Sequence, residues 1–311
     1  MFKRMFYVCY GILYVISLLP LRVLYLLSDA SYLILYYVIR YRRTVVLENL
    51  RIAFPEKTIT EHQAISRQFY RRLTGTFIES VKLLSISRTE LARRCNADTA
   101  LLDRLIAEGK NVHVLVGHQF NWEFANLRYA SVLPIPFVVV YMEVHNKAID
   151  RVFQKSRSRF GSVLVSTRSF RHKMHHLLRQ QFVLVLAADQ NPGLPRNAFW
   201  TEFFGKPVPF VTGPGKGAVR HNTAVVYMSF QQSKRGYYSF QTTLLAENGA
   251  DHSPEELTFL YKNALEQSIR KDPPNYLWSH RRWRHKWQEG YPPVLQYESA
   301  KTEDFHECLH D

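Results

Sequence analysis

Cysteine is scarce in this chain of 311 residues: there are three, Cys9, Cys95 and Cys308, far apart and without a Cys-x-x-Cys pair. That spacing indicates neither a disulfide framework nor a zinc site, and it is compatible with a reducing compartment. Acid is also short, with 26 Asp and Glu against 41 Lys and Arg, a formal charge of +15. Such an excess points to an anionic partner: a phospholipid surface, nucleic acid or an acidic protein. There is no Walker A string, no serine or cysteine nucleophile motif and no internal repeat. Long apolar runs are limited to the N-terminus, and the best of them, Met5 to Leu21, is at the short limit for a bilayer-spanning helix.

What is present is a hydrophobic fraction of 46% with 14% aromatics, enough for a sizeable core in one large domain or two ordinary ones. Lys3 and Arg4 precede the first apolar run, Arg22 interrupts it, and a second piece, Tyr32 to Ile39, leads into Arg40, Arg42 and Arg43. No small-x-small cleavage site follows, so a retained anchor over residues 1–43 is expected rather than a cleaved signal. Pro20 should kink any helix that covers both pieces. The many tyrosines suit an interfacial belt, and bases at both ends leave a single span and a shallow hairpin open. A buried, aromatic-rich helix pair is the bland alternative.

After the anchor, Val46, Leu50 and Ala53 form a helical stripe that Pro55 ends. Thr60-Glu61-His62-Gln63 reads as a capping box. Ile65, Phe69, Leu73, Phe77, Val81 and Leu84 then recur at helical intervals. From Asn111 strand and helix alternate. Strands are expected at Val112–Val116, Phe137–Met142, Ser162–Val165, Phe182–Ala187, Thr223–Phe230 and Tyr238–Leu245. Helices are expected at Asn146–Phe160 and Ser169–Gln180, with another starting at Ser253-Pro254-Glu255-Glu256 and ending at Asp272-Pro273-Pro274. This alternation predicts an α/β domain over residues 44–293 with a mainly parallel central sheet flanked by helices. A polar tail over 294–311 follows.

The strand Val112–Val116 ends at Gly117, which lets the chain turn, and His118 and Glu123 come next. Ligands of open α/β sheets bind at the carboxyl ends of strands, so His118 stands where a general base is useful. On one continuous helix residues five apart would be roughly 140° apart in projection. The two can meet only if His118 lies in the turn and Glu123 in the first helical turn. Glu123 could then orient the imidazole and stabilise it when protonated. Taken alone, a His and an acid at this spacing are more often a helix cap and a surface acid.

The flanks alter that balance. Gly117-His118-Gln119-Phe120-Asn121-Trp122-Glu123 resembles the G-H-x-x-N-W-E form of the H-x4-D/E motif of membrane acyltransferases, most of all the bacterial lipid A late acyltransferases. Asn49-Leu50-Arg51 to Pro55, Asp189-Gln190, Phe203-Phe204-Gly205-Lys206-Pro207 and Trp278-Ser279-His280-Arg281-Arg282-Trp283-Arg284 resemble further blocks of the same family in the same order.

The resemblance implies a glycerolphosphate-acyltransferase-like fold with an N-terminal hydrophobic membrane-anchoring helix, on the cytoplasmic face of a bacterial inner membrane. It implies transfer of an acyl chain from a thioester, usually of acyl carrier protein, to a hydroxyl of a lipid A precursor, with no metal or organic cofactor. His118 and Glu123 would be catalytic. Asn121, Trp122, Asp189, Lys206 and an arginine, Arg157 or Arg159, would engage substrate. Without the family, Arg157 and Arg159 read as a solvated basic helix end, and Asn191-Pro192-Gly193 as a turn.

Other readings stay open at this level. The same chemistry could act on another lipid, an aminolipid or a phosphoglycolipid. The tryptophans interleaved with bases from Trp278 to Trp287 could stack on single-stranded nucleic acid or sit at a membrane surface, and the resemblance favours the membrane. Thr212-Gly213-Pro214-Gly215-Lys216-Gly217 is either a helix start or a weak phosphate loop. His172, His175 and His176 read as a solvated basic face.

Overall fold

The computed structural model describes the backbone of residues 2–296 and the side chains of residues 5–296. Most of the expected polar tail, with Cys308, lies outside the described residues. Two apolar helices lead, α1 (Phe2–Leu18) and α2 (Leu21–Leu33), and α2 continues as a π-helical turn over Ile34–Val38. Then come α3 (Arg43–Ala53), α4 (Ile59–Lys82), α5 (Arg88–Arg94), β1 (Cys95–Ala97) and α6 (Ala100–Ala107). The alternating part follows as β2 (Val112–Val116), α7 (Trp122–Val132), β3 (Phe137–Tyr141), α8 (Lys147–Arg157), β4 (Val163–Ser166), α9 (Phe170–Leu177) and β5 (Val183–Ala187). The chain closes with β6 (Phe199–Phe203), β7 (Lys206–Phe210), α10 (Gly213–His221), β8 (Ala224–Lys234), β9 (Tyr237–Ala246), α11 (Pro254–Lys271) and β10 (Val294–Leu295).

The main sheet has seven strands in the order β1-β9-β8-β2-β5-β3-β4. Neighbours are parallel except in the β8–β9 hairpin, which makes the fold α/β with a mostly parallel sheet. β2 lies centrally and all of its residues are buried, His113 among them, as its mostly apolar run predicts. Val112, Val114 and Val116 point to one core with residues of α5, α6 and α7; Leu115 points to the other with α3, α4 and α11. Strand periodicity puts alternate residues on opposite faces.

Several helix ends follow from local chemistry. Ser253 caps α11 by accepting from the Glu256 N–H, and Pro254 occupies the first helical position. The capping box of α4 is real but starts two residues earlier than expected: Thr58, not Thr60, is the cap, with Glu61 answering at the third position. Phe203 to Lys206 is the tight turn of the β6–β7 hairpin, where Phe204 and Gly205 have φ of 52° and 67°. β6, β7 and β10 form a separate three-stranded sheet.

The N-terminal helices break at Pro20, as expected, but the segment of spanning length is Leu21–Val38 rather than Met5–Leu21. Arg22 sits at the start of this segment, so it does not break its apolar length. Both helices are tied to the body. Lys82 Nζ donates to the carbonyls of Ser17 and Leu19 at 3.0 and 3.2 Å, a cation at the negative end of α1. Tyr25 donates to Glu79 at 2.6 Å and Ser28 to Thr74 at 3.3 Å. Leu24, Tyr32 and Tyr36 are buried, whereas Val23, Leu26, Leu27, Ile34 and Val38 are exposed. The apolar surface is thus one-sided.

Candidate functional site

β2 and β5 are parallel neighbours with Val116 opposite Ala187. Two residues beyond each strand, His118 and Asp189 leave the same sheet edge side by side. Neighbouring strands are about 4.8 Å apart, so a carboxylate on one can reach an imidazole on the other. Asp189, 1% exposed, accepts from the His118 backbone N–H at 2.9 Å with one oxygen and lies 2.6 Å from Nδ1 with the other. This contact fixes both the ring and the stretch of chain carrying it, and it makes Nε2 the nitrogen open to a substrate.

The electrostatics follow from burial. Burial opposes the charged imidazole, but the Asp189 charge and hydrogen bond outweigh it, and the His118 pKa is raised. Burial also opposes the Asp189 carboxylate. Here His118, its two donated hydrogen bonds and the charge of Arg282 prevail, and the Asp189 pKa is lowered.

His118 lines a cavity of about 270 Å³ beneath α7, walled mainly by Val116, Trp122, Val139, Val185, Met228 and Phe230. The cavity has room for roughly nine water-sized groups at about 30 Å³ each. A larger cleft of about 600 Å³ is lined by Asp29, Tyr32, Arg71, Arg72, Glu79 and Arg235. It contains neither His118 nor Asp189, and its lining mixes opposite charges; the smaller cavity is the one that holds His118.

Glu123 is placed differently from expectation. Among the described residues it makes no hydrogen bond with His118. It accepts from Arg157 Nε at 3.0 and 3.1 Å and from Nη2 at 2.8 Å. The cause is direction: Glu123 lies in the first turn of α7 and faces the C-terminal end of α8, whereas His118 is held to the end of β5. Burial pushes the Glu123 pKa up and the Arg157 charge opposes that. Arg157 stacks over Trp122 at 4.3 Å and lines the cavity. Arg159 does not line the cavity; it donates to the Leu83 carbonyl and stacks on Phe160.

Asn121 and Lys206 do not reach the cavity. Asn121 is fully buried and donates to Glu79 at 2.7 Å; Glu79 also accepts from Tyr25 and Tyr238, both at 2.6 Å. This hub joins the turn after β2 to α2, α4 and β9. Lys206 is exposed on β7. Gly117 serves close approach rather than turning freedom, because a Cβ there would come within 2.4 Å of Leu265 Cδ1. Gly215 likewise faces the Pro254 carbonyl, 2.5 Å from where its Cβ would be. The Gly213–His221 stretch is therefore a helix packed tightly on α11.

Of the Trp278–Trp283 block only Arg281 is exposed. Trp278 and Arg282 have no exposure and Trp283 packs on Phe203 and Phe204. The segment closes on the site: Leu277 N–H donates to the His118 carbonyl at 3.0 Å. Asn49 of α3 holds the Trp278 and His280 carbonyls at 2.7 and 2.8 Å. Sequence reasoning missed Asp189 as the partner of His118 and missed Glu79 altogether, and it placed Asn49 and Arg282 in family blocks without giving either a role. The equal offset of His118 and Asp189 from the ends of two buried strands was the available signal for the first.

The fold and site together define a class: an α/β protein with a histidine–aspartate pair at the carboxyl edge of its sheet, opening on an apolar cavity flanked by an arginine. The chain belongs to the bacterial lipid A biosynthesis acyltransferase family, whose family model matches residues 2–285, nearly the whole chain. Comparison with individual curated proteins finds no match.

Proposed function

We propose that this acyltransferase moves a fatty acyl chain from an acyl thioester, carried by acyl carrier protein, to a hydroxyl of a lipid A precursor at the cytoplasmic face of the inner membrane. The observation that carries the chemistry is the 2.6 Å contact of His118 Nδ1 with Asp189 at the mouth of the apolar cavity. His118 Nε2 takes the acceptor's proton as the oxygen attacks the thioester carbonyl. The tetrahedral species collapses, the C–S bond breaks, and the imidazolium returns the proton to the leaving thiolate. Asp189 orients the ring and stabilises the imidazolium, the part the sequence assigned to Glu123. Glu123 instead holds Arg157, whose guanidinium is suited to charge on the thioester oxygen or a substrate phosphate. The cavity beneath α7 takes the acyl chain.

Membrane attachment rests on the one-sided apolar face of α1 and α2. Because α2 is bonded to α4 along its length, and α1 is held to α4 at its C-terminal end and packs through Phe6 on α8, they are better suited to lie in the interface plane than to leave the body and cross. The basic surface suits anionic lipid and an acidic carrier.

The test is incubation of purified protein with acyl carrier protein thioesters and a lipid A precursor, followed by mass analysis. One added acyl group on the precursor is expected, absent with His118→Ala. Acylation of another membrane lipid instead would replace the acceptor, and no transfer to any lipid would remove the reading.

A further inference from the structure

Behind the candidate dyad lies a charge that no substrate can reach. Arg282 has no exposed surface. Its Nη1 donates to Asn191 Oδ1 at 2.9 Å, and its Nε and Nη2 have no hydrogen-bond partner among the described residues. The guanidinium lies over the rings of Phe210 and Phe203, at 4.3 and 5.6 Å from their centroids. Phenyl faces attract a cation but do not neutralise it. The carboxylate within its electrostatic reach is Asp189, two residues before the asparagine that holds it. Burying a guanidinium without a contacting carboxylate is costly, because the charge loses its hydration with nothing to replace it. An apolar side chain would fill the space between Phe203 and Phe210 without that cost, so packing does not explain the charge.

We propose that Arg282 is a positioning residue for the reaction: its buried charge offsets that of Asp189, so that His118 is not trapped as the imidazolium. The inference rests on the reading of His118 as the base. With Arg282 and Asp189 charged and His118 neutral, the buried cluster sums to zero. Without Arg282 the same state carries one uncompensated negative charge. The cheapest relief is then a proton kept on His118, which disables it as a base at neutral pH.

The other titratable groups facing this cluster do not supply the missing charge. His280, from the same C-terminal segment, is kept neutral because burial pushes its pKa down to about 4. Tyr261 of α11, Tyr227 of β8 and Tyr276 have their pKa values pushed up by burial and stay protonated. On the α7 and α8 side Glu123 and Arg157 cancel each other. Arg42, near His280, is exposed and screened by solvent.

The test compares Arg282→Gln, which can keep the Asn191 hydrogen bond without the charge, with Arg282→Lys, which keeps the charge. Transfer rate is measured against pH with saturating donor and acceptor. Histidine ring NMR follows the His118 titration in the same proteins, with His118→Ala to assign the signal. In Arg282→Gln the rising limb and the His118 titration should both move up by about one pH unit or more, about tenfold in rate at a fixed pH on the limb. KM should hardly change. Arg282→Lys should keep the wild-type limb.

A wild-type limb and titration in folded Arg282→Gln would overturn the proposal, as would equal loss at every pH in both variants. If Arg282→Gln does not fold, Asn191→Ala, which loosens the guanidinium, should move the His118 titration in the same direction, and an unmoved titration there counts against it. Full turnover by His118→Ala would instead remove the reading on which the inference rests.

Discussion

Glu123 and Arg157 close on each other beside the cavity that Arg157 lines, with three contacts of 2.8–3.1 Å between one carboxylate and one guanidinium. Their side chains are 7% and 12% exposed, so the pair is buried, and the Arg157 charge opposes the burial that pushes the Glu123 pKa up. The acid five residues after the histidine thus acts on the arginine rather than on the imidazole.

Substitutions of the two carboxylates should therefore differ in kind. Asp189→Asn is expected to lower turnover by about 10²–10⁴-fold and to displace or abolish the pH limb, since it removes the group that sets the His118 tautomer. Glu123→Gln should cost about 10–100-fold, the scale of a charged hydrogen bond, with the limb left in place. Breaking a buried pair also destabilises, by about 3–5 kcal/mol, so circular dichroism must accompany the rates. Identical pH profiles for the two variants would contradict this division.

The dyad should also mark the pH dependence of stability. Asp189 has a lowered pKa in the folded state, so its contribution is present above the unfolded value of about 3.9 and is lost as pH falls through the folded one. His118 has a raised pKa, so its contribution is full below about 6.5 and is lost as pH rises through the folded value. The melting-temperature difference between wild type and Asp189→Asn should then be largest between about pH 4 and 6.5. A difference that is flat from pH 4 to 9 would show that the pair is not linked to folding in this way.

Gly117→Ala should be harmful without touching any functional group. Its Cβ would displace Leu265, which is buried in the core of α11. Overpacking of this kind costs about 1–3 kcal/mol, to be read from denaturant midpoints. A midpoint equal to wild type would mean that α11 yields freely.

Membrane attachment can be separated from folding. Leu26→Glu with Val38→Glu alters residues that are 70% and 76% exposed, so thermal stability should be unchanged. Flotation with anionic vesicles in high salt should fall sharply. Removal of residues 1–43 is a different experiment, because Leu24, Tyr32 and Tyr36 are in the core, and that truncation is expected to unfold the domain. A stable, active truncated protein would show the helices to be dispensable.

The strand that leads to His118 was legible because four apolar residues around His113, ending at a glycine, leave few alternatives to a buried parallel strand, and β2 occupies the expected residues. The late helix was legible for a local reason too: Ser253 and Pro254 act on N–H groups within a turn of themselves. The helix break at Pro20 and the family block around His118 belong with these. Each depends on chemistry between near neighbours in the chain.

The partners of the site were decided elsewhere. Asp189 is 71 residues from His118, and only the strand order, with β5 beside β2 and β3 beyond it, brings them together. Glu123 was nearer in sequence, but the direction in which α7 starts turns it to Arg157. The tryptophans and arginines from Trp278 to Arg282 have a composition that serves a membrane, a nucleic acid or a core equally well. Asn49, by holding the carbonyls of Trp278 and His280, helps place Trp278 and Arg282 in the core. Sequence determined the elements and the histidine, since propensity, capping and periodicity act over a few residues. Which carboxylate meets which base was decided by tertiary structure, because register between distant strands is set by the packing of the whole sheet.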